Sequence, residues 1–141
     1  MLQTDKTPQS AHRLTVLLAD QSDNWAVTVR KLLEPQGVQT IAAHTGREAL
    51  RLIEGGHIHV AVLDQQMPQL GGMQVVKRMM DLPDAPPAIL LADHLTNNLL
   101  HEALGLKVFS VLRKPVDFNL LLDSLARVLK RHYESRWPGE G

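Results

Sequence analysis

The chain of 141 residues contains no cysteine, which excludes disulfides, thiolate catalysis and cysteine zinc sites. Fifteen Lys and Arg residues balance fifteen Asp and Glu residues, so no bulk attraction to nucleic acid or to an anionic membrane is expected. No uncharged apolar run approaches the roughly 20 residues that would span a bilayer, and the polar stretch Met1 to Arg13 lacks the apolar segment of a secretory signal. We therefore expect a cytoplasmic protein that does not bind membranes.

Five short apolar runs recur along the chain, and each is too short for a typical helix. They are Leu14 to Ala19, Val38 to Ala42, Ile58 to Leu63, Ala88 to Ala92 and Val108 to Leu112. We interpret them as strands. The first, third and fourth runs are apolar almost throughout, as in strands that helices cover on both faces, which favours a parallel sheet.

Stretches with helical spacing lie between and after these runs. Four sets carry the spacing: Trp25, Val29, Leu32 and Leu33; Met73, Val76, Lys77 and Met80; Leu95, Leu99, Leu100, Ala103 and Leu104; and Phe118, Leu121, Leu122, Leu125, Val128 and Leu129. Thr45 and Glu48 form a capping box for a further helix, and Asp117 can cap the last one. The sequence thus predicts five strands that alternate with helices in the order (βα)5.

This order of elements predicts an α/β fold with three layers, a doubly wound parallel sheet between helices, in the flavodoxin-like strand order 2-1-3-4-5. We expect one domain over residues 14–132, a disordered leader over residues 1–13 and a short C-terminal tail over residues 133–141. In such sheets ligands bind beyond the carboxyl ends of the strands. The site should therefore be sought at that edge.

Three charged residues follow strands that end at this edge: Asp20, Asp64 and Lys114. Two carboxylates and an ammonium suit a metal-assisted phosphoryl site, because Mg2+ needs oxygen ligands and a transferring phosphoryl group needs its charge neutralised. Taken singly, each residue could equally cap a loop or remain solvated. Together they point to phosphoryl chemistry.

Signals for other chemistry are weak. No GxGxxG follows the first strand and no GxxxxGK[ST] occurs, so the phosphate cradles of dinucleotide and P-loop proteins are missing. A phosphatase of the haloacid dehalogenase type would need Asp-x-Asp where this chain has Asp20-Gln21-Ser22. His57 and His59 have no evident third zinc ligand, and no basic stripe indicates direct nucleic acid binding. We predict no enzyme that turns over a free substrate.

Two motifs resemble those of the response-regulator receiver domains of two-component signal transduction. In that family the phosphorylated aspartate is followed three and four positions later by Met-Pro and then by a glycine turn, and a Lys-Pro pair follows the last strand. The matching residues are Val62-Leu63-Asp64-Gln65-Gln66-Met67-Pro68-Gln69-Leu70-Gly71-Gly72 and Leu112-Arg113-Lys114-Pro115. The resemblance covers roughly residues 14 to 131, with its elements in order.

The resemblance implies a role for each matching residue. Asp64 would accept a phosphoryl group from the phosphohistidine of a histidine kinase or phosphotransfer protein, and Lys114 would pair with the phosphate. Asp20, Asp64 and the Gln66 backbone carbonyl would bind Mg2+. Pro115 would follow a cis peptide bond, a geometry that an X-Pro bond adopts at a cost of about 0.5 to 1 kcal/mol. The only reactions implied are phosphorylation and dephosphorylation of the protein itself.

The chain departs from the family pattern at three positions. Gln21 stands where the family has a second acid, so it would be a weak metal ligand and Mg2+ affinity should fall. Ala92 replaces the Thr or Ser whose hydroxyl bonds the phosphoryl group, and Val111 replaces the aromatic partner of that switch. Asp23 could stand in as a ligand but is better explained as a helix N-cap. An alternative is therefore a pseudo-receiver that binds a partner without phosphorylation.

By analogy with the family, signalling would use the face formed by the fourth helix, fifth strand and fifth helix, near Leu99, Val111 and Leu120. The expected partner is a downstream protein or a tethered output domain, and a homodimer through the same face is a further expectation. Asp93, next to the predicted site, adds negative charge that could disfavour a phosphoryl group, although a capping or solvated role explains it equally well.

Overall fold

The structure, a computed structural model, describes residues 13–22 and 24–133. The predictions for the rest of the leader, for Asp23 as a helix cap and for residues 134–141 lie outside the described residues. The elements are β1 (Thr15–Ala19), α1 (Asn24–Leu33), a 3-10 helix (Glu34–Gln36), β2 (Gln39–Ala43), α2 (Gly46–Glu54), β3 (Val60–Asp64), α3 (Gly72–Met79), β4 (Ala88–Ala92), α4 (Asn97–Gly105), β5 (Ser110–Arg113) and α5 (Phe118–Tyr133).

The five strands form one parallel sheet in the order β2-β1-β3-β4-β5, which confirms the predicted fold class. All residues of β1, β3 and β4 are buried, whereas β2 and β5 at the sheet edges are only partly covered. This difference explains why the three inner strands are continuous apolar runs. The register pairs Asp64 with Leu91 and Ala92 with Arg113, so the carboxyl ends of the strands meet at one edge.

Helices pack on both faces of the sheet and bury two separate apolar layers. The layer under α1 and α5 contains Val29, Leu33, Leu121 and Leu125, all fully buried. The opposite layer joins α2, α3 and α4 through residues such as Ile53, Met79 and Ala103. Each fully buried Leu or Val side chain contributes roughly 1.5–3 kcal/mol relative to an exposed one, so these layers hold the loops at the sheet edge in place.

Two predicted helix caps are present, one of them with a changed partner. Thr45 Oγ1 accepts a hydrogen bond from the Glu48 N–H at 3.0 Å, as the capping box predicts. The Glu48 carboxylate accepts from the His44 N–H at 2.8 Å, one residue earlier than the reciprocal bond of a standard box. Asp117 Oδ1 accepts from the N–H groups of Asn119 and Leu120, which caps α5.

The predicted inward faces of α3 and α4 are partly wrong. In α3 the buried residues include Val75 and Met79, whereas Lys77 and Met80 are exposed. The close approach of Gly72 fixes this rotation, because a Cβ there would lie 2.8 Å from the Asp64 carbonyl oxygen. The helix α4 packs inward through Ala103, which leaves Leu104 with 76% of its surface exposed.

In the part of the chain that the structure describes, no helix has both the length and the apolar character needed to cross a bilayer.

Candidate functional site

The three charged residues predicted to converge do meet, in a cleft at the carboxyl edge of the sheet. Asp20 follows β1, Asp64 ends β3 and Lys114 follows β5. The cleft has a volume of about 600 Å3 and is also lined by Gln21, Ser22, Asn24, Trp25, Gln66, Asp93, Pro115, Val116 and Phe118. Asp20 and Asp64 are each only 2% exposed. Two buried carboxylates side by side are costly unless cations or donors compensate them.

The Asp64 carboxylate is held by three donors from three parts of the chain. Its Oδ1 accepts a hydrogen bond from the Gln66 backbone N–H at 2.9 Å. Its Oδ2 accepts from Lys114 Nζ at 2.8 Å and from the indole Nε1 of Trp25 at 3.3 Å. Charge-assisted bonds of this kind are stronger than neutral ones, so the side chain is fixed while it remains at the wall of the cleft.

Lys114 reaches the cleft from the loop after β5. Its backbone N–H donates to the Ala92 carbonyl at 2.9 Å, and the Lys114–Pro115 peptide bond is cis. Burial alone would lower the pKa of Lys114, but the hydrogen bond with Asp64 and the charges of Asp64, Asp93 and Asp20 outweigh it and raise the pKa above its usual value. Asp93 Oδ1 lies 3.7 Å from the ammonium. Lys114 is therefore a cation at neutral pH.

Asp20 contributes a buried carboxylate oxygen that a cation could satisfy. Its Oδ1 accepts from the Ser22 N–H at 3.3 Å, whereas its Oδ2 is buried without a hydrogen-bond partner among the described residues. A buried carboxylate oxygen without a partner is unfavourable, and a hard cation with oxygen ligands would satisfy it. Asp64 and Gln66 line the same cleft, so the residues present fit Mg2+.

The metal fit depends on few charged ligands. Within residues 13–22 and 24–133 no cluster of three or more His, Asp and Glu side chains could hold a metal. Gln21 lines the cleft with an exposed amide side chain. Mg2+ keeps several waters and binds through one or two carboxylates in many proteins, and Asp20 and Asp64 provide two carboxylates at this cleft.

The two predicted switch positions lie beside the cleft and do not line it. Ala92 ends β4, is buried, and contributes its backbone carbonyl to Lys114. Val111 is half-buried in β5 next to Leu90 and packs against the layer under α2, α3 and α4. A methyl group at Ala92 offers no hydrogen bond to a ligand at Asp64.

Two contributions to the site are absent from the sequence-based prediction. The sequence placed Trp25 only in the helical spacing of the first helix, but its indole N–H donates to Asp64. The side-chain oxygen of Gln65 accepts from the Met73 N–H at 2.8 Å and caps α3 beside the site. The available signal for Trp25 was that a buried indole usually requires an acceptor, and the nearest strand edge is rich in carboxylates.

The family model described as response regulator receiver domain matches residues 16–126. The chain therefore belongs to the response-regulator receiver domain family of two-component signal transduction, as the two motifs indicated.

Curated relatives are longer than this chain. Regulatory protein AtoC of Escherichia coli (strain K12) is 32% identical over 120 residues, which cover 82% of this chain and 24% of that protein. Response regulator GtcR of Aneurinibacillus migulanus is 30% identical over 129 residues, which cover 89% of this chain and 52% of that protein. The chain thus spans about a quarter to a half of these relatives.

Solved structures share the fold. The receiver domain of Francisella response regulator 1452 superposes with a TM-score of 0.78 at 28% identity, over 84% of this chain and 98% of that one. A CheY-like receiver domain protein from Methanospirillum hungatei JF-1 has a TM-score of 0.78 at 20% identity, over 92% and 99%. At that lower identity the likeness concerns the fold alone.

Proposed function

We propose that this receiver domain accepts a phosphoryl group on Asp64 from the phosphohistidine of a histidine kinase or phosphotransfer protein, in a reaction that uses Mg2+. The observation that carries the proposal is the contact of Asp64 with Lys114 at 2.8 Å, in a cleft where a buried Asp20 oxygen has no hydrogen-bond partner within residues 13–22 and 24–133. These groups supply a nucleophile, a cation and a metal ligand at one sheet edge.

In the proposed step a carboxylate oxygen of Asp64 attacks phosphorus and forms the acyl phosphate bond. The phosphorus–nitrogen bond of phosphohistidine breaks, its electron pair stays on the imidazole nitrogen, and solvent supplies the proton there. Lys114 offsets the negative charge of the phosphoryl oxygens, and the Gln66 N–H orients the carboxylate. When bound by Asp20, Asp64 and the Gln66 carbonyl, Mg2+ supplies further charge neutralisation.

Mg2+ affinity should be modest in this proposal, because Gln21 contributes a neutral amide and the site keeps two carboxylates. The chemistry is limited to phosphorylation of Asp64 and hydrolysis of the resulting acyl phosphate. We expect no turnover of a free substrate and no direct contact with nucleic acid. We place the domain in the cytoplasm, where a kinase would form the phosphohistidine.

The proposed output is docking to a downstream protein or to a tethered output domain. The face of α4, β5 and α5 supports this assignment, because it exposes Leu100, Leu104 and Leu120 to solvent. Leu100 and Leu104 lie one turn apart on α4 and are therefore neighbours on its surface, and adjacent exposed apolar side chains favour an interaction site. A homodimer through the same face is a second use of this surface.

The proposal is tested by incubating the protein with Mg2+ and acetyl phosphate and measuring its intact mass. We expect the gain of one phosphoryl group in the wild type and none in Asp64→Ala. Asp123→Ala is the matched control, because Asp123 is an exposed aspartate on α5 that pairs with Arg127 away from the cleft; it should retain the gain. Equal gains in all three proteins would contradict phosphorylation at Asp64.

The pseudo-receiver alternative is supported by the amide at Gln21 and by the buried methyl group of Ala92. It predicts no mass gain in the wild type at any Mg2+ concentration, and partner binding that is indifferent to acetyl phosphate. Loss of partner binding in Asp64→Ala, or a dependence of binding on acetyl phosphate, would exclude it.

A further inference from the structure

The indole of Trp25 makes an unusual contact for a core residue. Trp25 is the second residue of α1, is 5% exposed and packs in the layer under α1 and α5. Its Nε1 nevertheless lies 3.3 Å from Asp64 Oδ2, the oxygen that Lys114 also contacts. A residue that secures the hydrophobic layer thus also reaches the proposed phosphoacceptor.

The three donors are divided unequally between the two oxygens of the carboxylate. An ionised carboxylate has about four acceptor positions, two on each oxygen. Lys114 and Trp25 both donate to Oδ2, whereas Oδ1 accepts the Gln66 N–H. The terminal torsion of an aspartate is intrinsically broad, so these donors set the orientation of the carboxylate in the cleft.

We propose that Trp25 is a positioning residue for phosphoryl transfer to Asp64. Its indole N–H, together with Lys114, holds Oδ2 and thereby fixes the orientation in which the carboxylate meets the incoming phosphoryl group. This inference rests on the proposed function of Asp64. This neutral donor comes from α1, whereas Ala92 at the end of β4 has no side-chain hydrogen-bond donor.

A purely structural role would have different consequences. A buried indole N–H needs an acceptor, and loss of its packing would destabilise the fold without any specific effect on transfer. A positioning role requires that the N–H respond to changes at Asp64 and that its loss slow phosphorylation beyond what an equally destabilising substitution does. Val29, one turn further along α1 and fully buried in the same layer, provides that comparison.

The first test does not depend on phosphorylation. With Trp137→Phe as background, Trp25 is the one remaining tryptophan of the two in the sequence, so its indole 1H–15N resonance is unambiguous. We expect Asp64→Ala to move the indole proton upfield because its acceptor is lost. Asp93→Ala, a matched change of another aspartate in the cleft, should leave it nearly unchanged. An unmoved indole resonance in Asp64→Ala would overturn the proposal.

The second test is the rate of phosphorylation by acetyl phosphate with saturating Mg2+. Trp25→Phe should lower the rate constant by about tenfold, as expected for one hydrogen bond to a charged group. Val29→Ala should lower stability and leave the rate within about twofold. Equal rates in Trp25→Phe and Val29→Ala would overturn the positioning role of Trp25 but not the proposed function. A wild type that takes up no phosphoryl group would overturn the proposed function and this role with it.

Discussion

The Asp64–Lys114 ion pair should be measurable as a coupling free energy in the unphosphorylated protein. Asp64 is 2% exposed, whereas the Lys114 side chain is 20% exposed. Breaking a fully buried pair by removing one partner costs about 3–5 kcal/mol, whereas exposed pairs contribute about 0–1 kcal/mol. The intermediate exposure of Lys114 predicts that Lys114→Met lowers the free energy of unfolding by about 2 kcal/mol, because Asp64 is left as a buried charge.

A double-mutant cycle isolates the interaction free energy between Asp64 and Lys114. Lys114→Met in the Asp64→Asn background should cost little, because the buried charge is gone, so the coupling energy should be about 2 kcal/mol. Urea unfolding of the four proteins supplies the values, with a chelator present because a bound cation would compensate the lost ammonium. A coupling below about 0.5 kcal/mol would refute the inference that Lys114 stabilises a buried carboxylate.

Three further predictions concern the metal, the backbone at the site and pH. Gln21→Asp should tighten Mg2+ binding on the order of tenfold, because a charged oxygen replaces a neutral one. The control Gln66→Ala should leave Mg2+ affinity unchanged, since only the Gln66 backbone is proposed as a ligand. Titration of amide NMR shifts with Mg2+ measures the affinity of both variants. Gly72→Ala should lower the free energy of unfolding by about 2 kcal/mol or more, because the added methyl group would clash with the Asp64 carbonyl. Gly105→Ala should raise the free energy of unfolding by about 0.5 kcal/mol, because open space surrounds Gly105. Chemical denaturation of both variants measures these changes. Because the folded-state pKa of Lys114 is raised, its stabilisation is complete below the unfolded lysine value of about 10.4 and is lost as pH rises through the folded value; the stability difference between wild type and Lys114→Met should shrink there.

The fold could be predicted from the sequence because its dominant signals are local. Continuous apolar runs identify strands covered on both faces, and the parallel topology then brings the ends of β1, β3 and β5 together. Asp20, Asp64 and Lys114 meet for that reason, since each directly follows or ends a strand. Their convergence can therefore be predicted without any knowledge of side-chain packing.

Which face of a short helix points toward the core could not be predicted from apolar spacing. Eight residues of α3 fit more than one helical face, and the choice depends on how closely Gly72 approaches β3 and β4. The exposure of Leu104 likewise depends on the shallow packing of α4 through Ala103. Both outcomes are set by contacts between elements that are distant in sequence.

Two features of the site could also not be predicted from the sequence: the contact of Trp25 with Asp64, and the lack of a hydrogen-bond partner for Asp20 Oδ2 in the part of the chain that the structure describes. The first joins residues 39 positions apart, and the second is a property of the assembled cleft. Sequence spacing identified which residue types gather at the sheet edge, but not which of their atoms lack hydrogen-bond partners among the described residues. The proposed Mg2+ site depends on such an atom, Asp20 Oδ2.

The most direct measurement is to locate the phosphoryl group after treatment with acetyl phosphate and Mg2+. Borohydride reduction converts an aspartyl phosphate to homoserine, which peptide mass spectrometry then maps. We predict homoserine at position 64, and none when Mg2+ is chelated. Homoserine at Asp20 or Asp93 in place of Asp64, or none anywhere in the Mg2+-treated protein, would contradict it.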